Sequence, residues 1–214
     1  TLPPGRLGWR KATEIQDQAV LLAEQARPYR RDPDAVDVDV DLGAGRRLTG
    51  TVTPVYGERL VSVTYSKLDG RHLLQSWIPL LALIAHDPRR DWSAICIGRP
   101  KRGTTVRQEE LTRPADAAVT LLADLVAIYD AGRRAPLPLP VKTSYAWAEA
   151  HHSHGDPHRA AGFRWRSNDR YPGEDAEPAH IRAFGKDAWL DHLVAAGLDH
   201  YACRLWLPML EALA

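Results

Sequence analysis

Along the first half of the chain the spacing of hydrophobic positions changes repeatedly. From Thr13 the residues Ile15, Ala19, Leu22 and Ala26 recur every three or four positions, the spacing of one helix face. Thr13 and Gln16 have the order of a capping box, and Pro28 is expected to end this helix. Val36, Val38 and Val40 then alternate with Asp37, Asp39 and Asp41, which predicts a half-buried strand. Gly43 and Gly45 supply its turn. The β-branched runs 47–53 and 59–66, separated by Pro54 and Gly57, predict two further strands in a meander. Asp69 is placed to cap a helix with Leu73, Trp77, Leu81 and Ile84 on one stripe, and Pro79 is expected to kink it. The apolar run 92–98 suits a buried strand, and 104–109 a weaker one. Pro114 opens a helix with Ala118, Leu121, Leu125 and Ile128 facing inward, and Gly132 is expected after its end.

The order to this point is α, β, β, β, α, β. Pro136, Pro138 and Pro140 then fall at alternate positions, as in an extended connector. The expected division is therefore an α/β core over 1–135 and a helical extension over 136–214. Within the extension Ser144 and Asp156 are candidate caps, followed by Ile181 and Phe184 on one helix and a final helix pair around Gly197. No internal repeat is visible.

Composition narrows the classes. The chain has 214 residues, 44% of them hydrophobic and 26% charged, enough to bury a core without disulfides or a structural metal. The two cysteines, Cys96 and Cys203, suit a reducing compartment, and Cys96 sits in an apolar run. No stretch reaches the length of a membrane span and no signal peptide is recognisable, so a cytoplasmic location is expected. Thr1 rather than Met stands first, as expected of a partial or trimmed chain. A net charge of +1 excludes a strongly basic nucleic-acid coat and confines any DNA contact to local patches.

The αβββαβ order suggests the restriction-endonuclease-like fold, in which two carboxylates hold a divalent cation and a lysine positions or activates the attacking water. The frame of that site is present and its chemistry is not. In the run Gly50, Thr51, Val52, Thr53, the last residue stands at one carboxylate position. In 60–66, Thr64 stands at the other, Tyr65 at an intervening tyrosine and Ser66 at the lysine. Gln75 fits the glutamine of the following helix, but Pro79 stands where a tyrosine would follow. A threonine hydroxyl cannot replace a carboxylate's charge at a divalent cation. Lys67 would reach the lysine position only through a one-residue shift that turns Val61 and Val63 over. With strands 47–53 and 59–66 paired, Thr53 is expected near Thr64, around one pocket that holds no metal.

The runs LPPGRLG, RRLTGTV, LVSVTYSKL, QSWIPLLALIA, LLADLVAIYDAGRRAPLPLPVKTSYAWAEA and HIRAFG, in this order, resemble the C-terminal region of the exodeoxyribonuclease V gamma chain, RecC, over nearly the whole sequence. The resemblance implies an inactive, nuclease-like α/β core with a helical extension. It implies a part in the RecBCD helicase and nuclease, in double-strand break repair and recombination. There the domain would guide or split DNA and dock RecB and RecD beside the remainder of RecC. It implies no cofactor and no catalysis by this chain alone.

Two basic groups are candidates for local DNA contact without sequence preference. One is Arg99, Lys101, Arg102 and Arg107 around a glycine-containing loop. The other is Arg164, Arg166 and Arg170, interleaved with Phe163, Trp165 and Tyr171, a mixture suited to stacking and phosphate contact. Against both stands the ordinary role of arginine as a solvated or subunit-facing side chain. Trp77, Trp147, Trp189 and Trp206 read as core or interface. His151, His152, His154 and His158 have metal-ligand chemistry but straddle a Gly155–Asp156–Pro157 turn and read as a solvated loop. Asp37, Asp39 and Asp41 read as an exposed strand face. No phosphate-binding loop for ATP and no Ser-His-Asp elbow is present. Two rival functions remain open: a metal-dependent nuclease with a shifted site, and a protein-interaction domain without DNA contact.

Overall fold

In a computed structural model, residues 3–101, 103 and 105–214 are described. The residues up to Val119, together with Leu213 and Ala214, form one compact unit, and Thr120–Ala212 form a second. This division falls earlier than the proline connector at which the sequence pattern places it, so most of the helix opened by Pro114 belongs to the second unit.

The first unit begins with α1 (Arg6–Ala26). It starts seven residues before Thr13, whose hydroxyl donates to Trp9 O at 3.1 Å within the helix instead of capping it. Strands β1 (Asp34–Gly43), β2 (Arg46–Tyr56) and β3 (Arg59–Lys67) follow, then α2 (Gly70–His86), β4 (Ser93–Arg99) and β5 (Arg107–Thr112). The five strands form one sheet in the order β1-β2-β3-β4-β5. The β3–β4 pair is parallel, with α2 as the crossover, and the other pairs are antiparallel. Pro54 lies inside β2, after a cis Thr53–Pro54 bond, and the strand ends at Tyr56 beside the Gly57 turn. β5 is displaced towards Thr112 from the run 104–109, because the buried side chain that anchors it is Leu111.

Side chains alternate across a strand. Val61, Ile95 and Ile97 pack with Leu22 and Ala26 of α1, while Ser62 turns to Ser76 of α2 on the opposite face. Asp69 caps α2 by accepting from His72 N at 3.3 Å. The helix continues through Pro79 to His86, although proline removes the donor for the Gln75 carbonyl one turn back.

The second unit is helical. It contains most of α3 (Ala118–Arg134), then α4 (Val141–His152), α5 (Pro157–Trp165), α6 (Pro178–Phe184), α7 (Leu190–Ala195) and α8 (Leu198–Leu210). Gly132 lies within α3 and not beyond its end. Asp156 caps α5 by accepting from Arg159 N at 3.0 Å. Ser144 caps nothing, being fully buried in the first turn of α4, where its Oγ accepts from Trp206 Nε1 at 3.0 Å. The cap comes from a distant carboxylate. Glu174, 3% exposed, accepts from Lys142 N at 3.0 Å and from Thr143 N and Oγ1, each at 2.7 Å. Gly197 takes the left-handed conformation, φ 99°, that the break between α7 and α8 requires.

Candidate nucleic-acid interface

Strands β2 and β3 are paired only at Val55–Leu60 and Tyr56–Arg59. Beyond those pairs they part, and α2 closes a pocket of about 240 Å³ whose lining includes Thr51, Thr53, Ser62, Gln75, Ser76 and Pro79. Continuing the β2–β3 register aligns Thr53 with Ser62 and not with Thr64. Thr64 instead accepts from Ser66 N at 3.1 Å through its Oγ1. The pairing of β3 with β4 is irregular between Val63 and Lys67, so strict alternation does not extend to Lys67. The pocket's polar lining is neutral: Ser76 Oγ donates to Ser62 Oγ at 2.9 Å. Burial pushes the neighbouring Cys96 thiol up, while hydrogen bonds with Ser62 and Ser76 act in the opposite direction. Among the described residues, no three His, Cys, Asp or Glu side chains are grouped to hold a metal ion.

The first basic group is held unevenly. The Arg99 guanidinium lies over the Tyr65 ring, 4.4 Å from its centroid. Arg107, with 27% of its side chain exposed, donates to Glu109 Oε1 at 2.7 Å and to Leu68 O at 3.2 Å, so two of its donors are engaged by the fold. Lys101 is exposed, and Arg102 lies outside the described residues.

The second group is better assembled than its sequence pattern suggests. Phe163 and Tyr171 are 73% and 72% exposed. Trp189, which the helical spacing assigns to a core or interface, is 55% exposed. Arg166 lies over the Trp189 ring at 3.9 Å and Arg159 over Phe163 at 5.9 Å. Arg159, Arg164, Arg166 and Arg170 form no ion pair among the described residues, whereas Arg47, Arg90 and Arg204 do. Trp165 is not part of this surface: it is 1% exposed and donates from Nε1 to Ala188 O at 2.9 Å. The loop after α5 is fixed by Asp175, which accepts from Ser167 N and Oγ, and by Asn168, which accepts from Arg170 N and Tyr171 N. Arg159 was legible as the residue one helical turn before Phe163. Trp189, distant in sequence, carried no local signal.

The remaining clusters are engaged elsewhere. Asp39 accepts two hydrogen bonds from Arg47, at 3.0 and 2.5 Å, which hold its carboxyl below the usual carboxylate range. Asp37 accepts from Thr51 Oγ1 at 2.6 Å. His158 Nε2 lies 2.6 Å from Asp191 Oδ1, directed to that carboxylate.

A mixed sheet flanked by α1 and α2 on opposite faces, followed by a helical C-terminal part, defines a nuclease-like α/β class. Within that class the family is defined by comparison. The model of the RecC C-terminal domain family matches residues 1–152, and the chain belongs to that family. It is 66% identical over 225 residues to the RecBCD enzyme subunit RecC of Mycolicibacterium smegmatis, covering 99% of this chain and 21% of that protein. It is 50% identical over 225 residues to the subunit of the same name from Mycobacterium tuberculosis, covering 99% and 20%. The chain thus spans about a fifth of the length of these relatives.

Proposed function

We propose that this chain is a non-catalytic domain of a RecBCD-type helicase and nuclease, acting in double-strand break repair and recombination. It guides or splits DNA and docks RecB and RecD beside the rest of the RecC subunit. The observation that carries the reading is the chemistry at the β2–β3 cleft. Thr53, Ser62, Gln75 and Ser76 line it, and none supplies the charge a divalent cation needs from its oxygen ligands. Thr64 and Ser66 at the other two signature positions are equally neutral. Family membership and the identity of its relatives as RecBCD subunits supply the setting.

Contact with DNA is assigned to Arg99 and Lys101, with Arg102, and to Arg164, Arg166 and Arg170. Arg107 contributes by holding the base of the first loop through its bond to Leu68 O. Phosphate contacts of this kind carry no base information. The test measures binding of the purified chain to linear single- and double-stranded DNA across a salt series, together with capture of purified RecB and RecD. The reading requires affinity that falls with salt and capture of at least one subunit. A chain that shows no binding and no capture would overturn it, and capture without DNA binding would favour a protein-interaction domain.

A further inference from the structure

Helix α5 separates its buried side chains from its exposed ones. Ala161 and Trp165 are buried in a cluster with Ala188 and Leu190, whereas Arg159, Phe163 and Arg166, at steps of four and three residues, follow the opposite face. Ala188 and Leu190 in turn anchor Trp189 from both sides, while Trp189 itself stays exposed. The Arg166 guanidinium, 3.9 Å from the Trp189 ring centroid, joins this ring to the helix face, and Arg159 lies 5.9 Å from the centroid of Phe163. Cation and ring thus alternate along one exposed ladder: Arg159, Phe163, Arg166, Trp189.

Two properties define what the ladder can hold. Arg159 and Arg166 form no ion pair among the described residues, and three carboxylates of this segment are committed elsewhere. Asp156 accepts from Arg159 N as the α5 cap, Asp175 accepts from Ser167, and Asp191 lies 2.6 Å from His158 Nε2. Each ring carries a guanidinium and keeps most of its surface open, 73% for Phe163 and 55% for Trp189. An occupant that matches both properties brings flat faces to the rings and negative charge to the guanidinium groups. Nucleobases and phosphates supply the two within one chain. A duplex brings the charge but keeps its base faces stacked inside, and an acidic peptide brings the charge without the flat faces.

We propose that the ladder takes two bases of an unpaired DNA strand on Phe163 and Trp189, with the adjoining phosphates on Arg159 and Arg166. The assignment rests on the DNA-guiding reading and goes beyond it in making this surface selective for a single strand.

The experiment measures binding of the 214-residue chain to a mixed-sequence single-stranded 12-mer, to the duplex of the same sequence, to a 12-mer whose sites are all abasic, and to an oligoglutamate of equal length. The wild type is compared with Trp189→Leu and Phe163→Leu, which remove the flat ring and keep apolar bulk at exposed positions, and thermal melts establish that both fold. Loss of one stacking platform predicts that each variant binds the base-bearing strand about fivefold or more weakly. Binding of the abasic strand and of the duplex should be unchanged. Equal wild-type affinity for the base-bearing and abasic strands, or unchanged strand affinity in both variants, overturns the ladder and leaves the DNA reading standing. Losses shared equally by the base-bearing and abasic strands overturn it too, since stacking cannot act where there is no base. Oligoglutamate bound as tightly as the strand, and released by the same substitutions, would assign the ladder to an acidic protein segment instead. A wild-type chain that binds no DNA defeats both readings together.

Discussion

Replacing Glu174 tests how much a buried carboxylate at the start of α4 stabilises the helical unit. Its two oxygens accept from Lys142 N, Thr143 N and Thr143 Oγ1 at the start of α4, and Thr143 is fully buried. Hydrogen bonds to a charged group contribute about 1.5–3 kcal/mol each, and a buried donor left unpaired costs about 1–3 kcal/mol. The helix dipole adds a few tenths to about 1 kcal/mol for an anion at this terminus. These contributions overlap, so we expect Glu174→Ala to cost about 3–5 kcal/mol rather than their sum. Glu174→Gln keeps one acceptor but turns an amide donor on the cluster, and should cost about 1–3 kcal/mol. For a unit of this size the alanine variant should melt at least about 10 °C lower. The control is Glu177→Ala: Glu177 meets Lys142 Nζ at 3.8 Å with both side chains largely exposed, and its loss should cost less than about 1 kcal/mol. Scanning calorimetry of the three variants reads the result. A Glu174→Ala melting point within about 2 °C of wild type, or no difference from Glu177→Ala, would refute the buried-cap argument.

Gly173→Ala should fail to fold or lose more than about 3 kcal/mol on denaturant titration. A Cβ there would lie 2.2 Å from Trp165 O and 2.5 Å from Arg166 C, backbone atoms that cannot yield as a side-chain tip can. Cys96 should resist a thiol reagent at neutral pH until the chain unfolds, since it is fully buried and burial pushes its thiol above the ordinary range. The folded state therefore keeps this proton to higher pH than the unfolded chain does. The Cys96 contribution to stability should be intact below the unfolded thiol pKa, about 8.5, and be lost as pH rises from there through the folded value. Cys96→Ala should flatten that alkaline loss in denaturant titrations across the same range. Charge reversal at Arg164, Arg166 and Arg170 should weaken DNA binding equally across sequences and reduce the salt slope by about one for each phosphate no longer neutralised. An unchanged slope would remove this surface from the DNA path.

Periodic segments were legible in the sequence because a single burial pattern decides them. The valine–aspartate alternation of β1, the cap at Asp69 and the apolar run of β4 all stand where the pattern places them. The misplaced caps follow where each polar group finds its partner, locally for Thr13 and across the fold for Ser144. Thr13 satisfies its hydroxyl within α1, and Ser144 is taken by Trp206, leaving α4 to be capped from Glu174, far along the chain. Of the three signature positions, only Thr53 lines the cleft, where Ser62 and not Thr64 stands opposite it, so the sequence pointed to a neutral cleft through one residue of three. The geometry of the cleft could not be read, because the β2–β3 register depends on two residue pairs next to the Gly57 turn. The candidate surface was half visible: local arginine–aromatic interleaving marked Phe163 and Tyr171, but burial removes Trp165 and folding brings Trp189 against Arg166.

The central claim, a nuclease-like fold without nuclease chemistry, is tested most directly by the degradation of end-labelled linear DNA. The purified chain, at a large excess over single- and double-stranded substrates, is incubated with magnesium and separately with manganese, beside its Lys67→Ala variant. The account predicts full-length label throughout, no different from protein-free controls. Metal-dependent shortening of the label by the wild type would contradict it. Loss of that activity in Lys67→Ala would place a working site at the irregular end of β3.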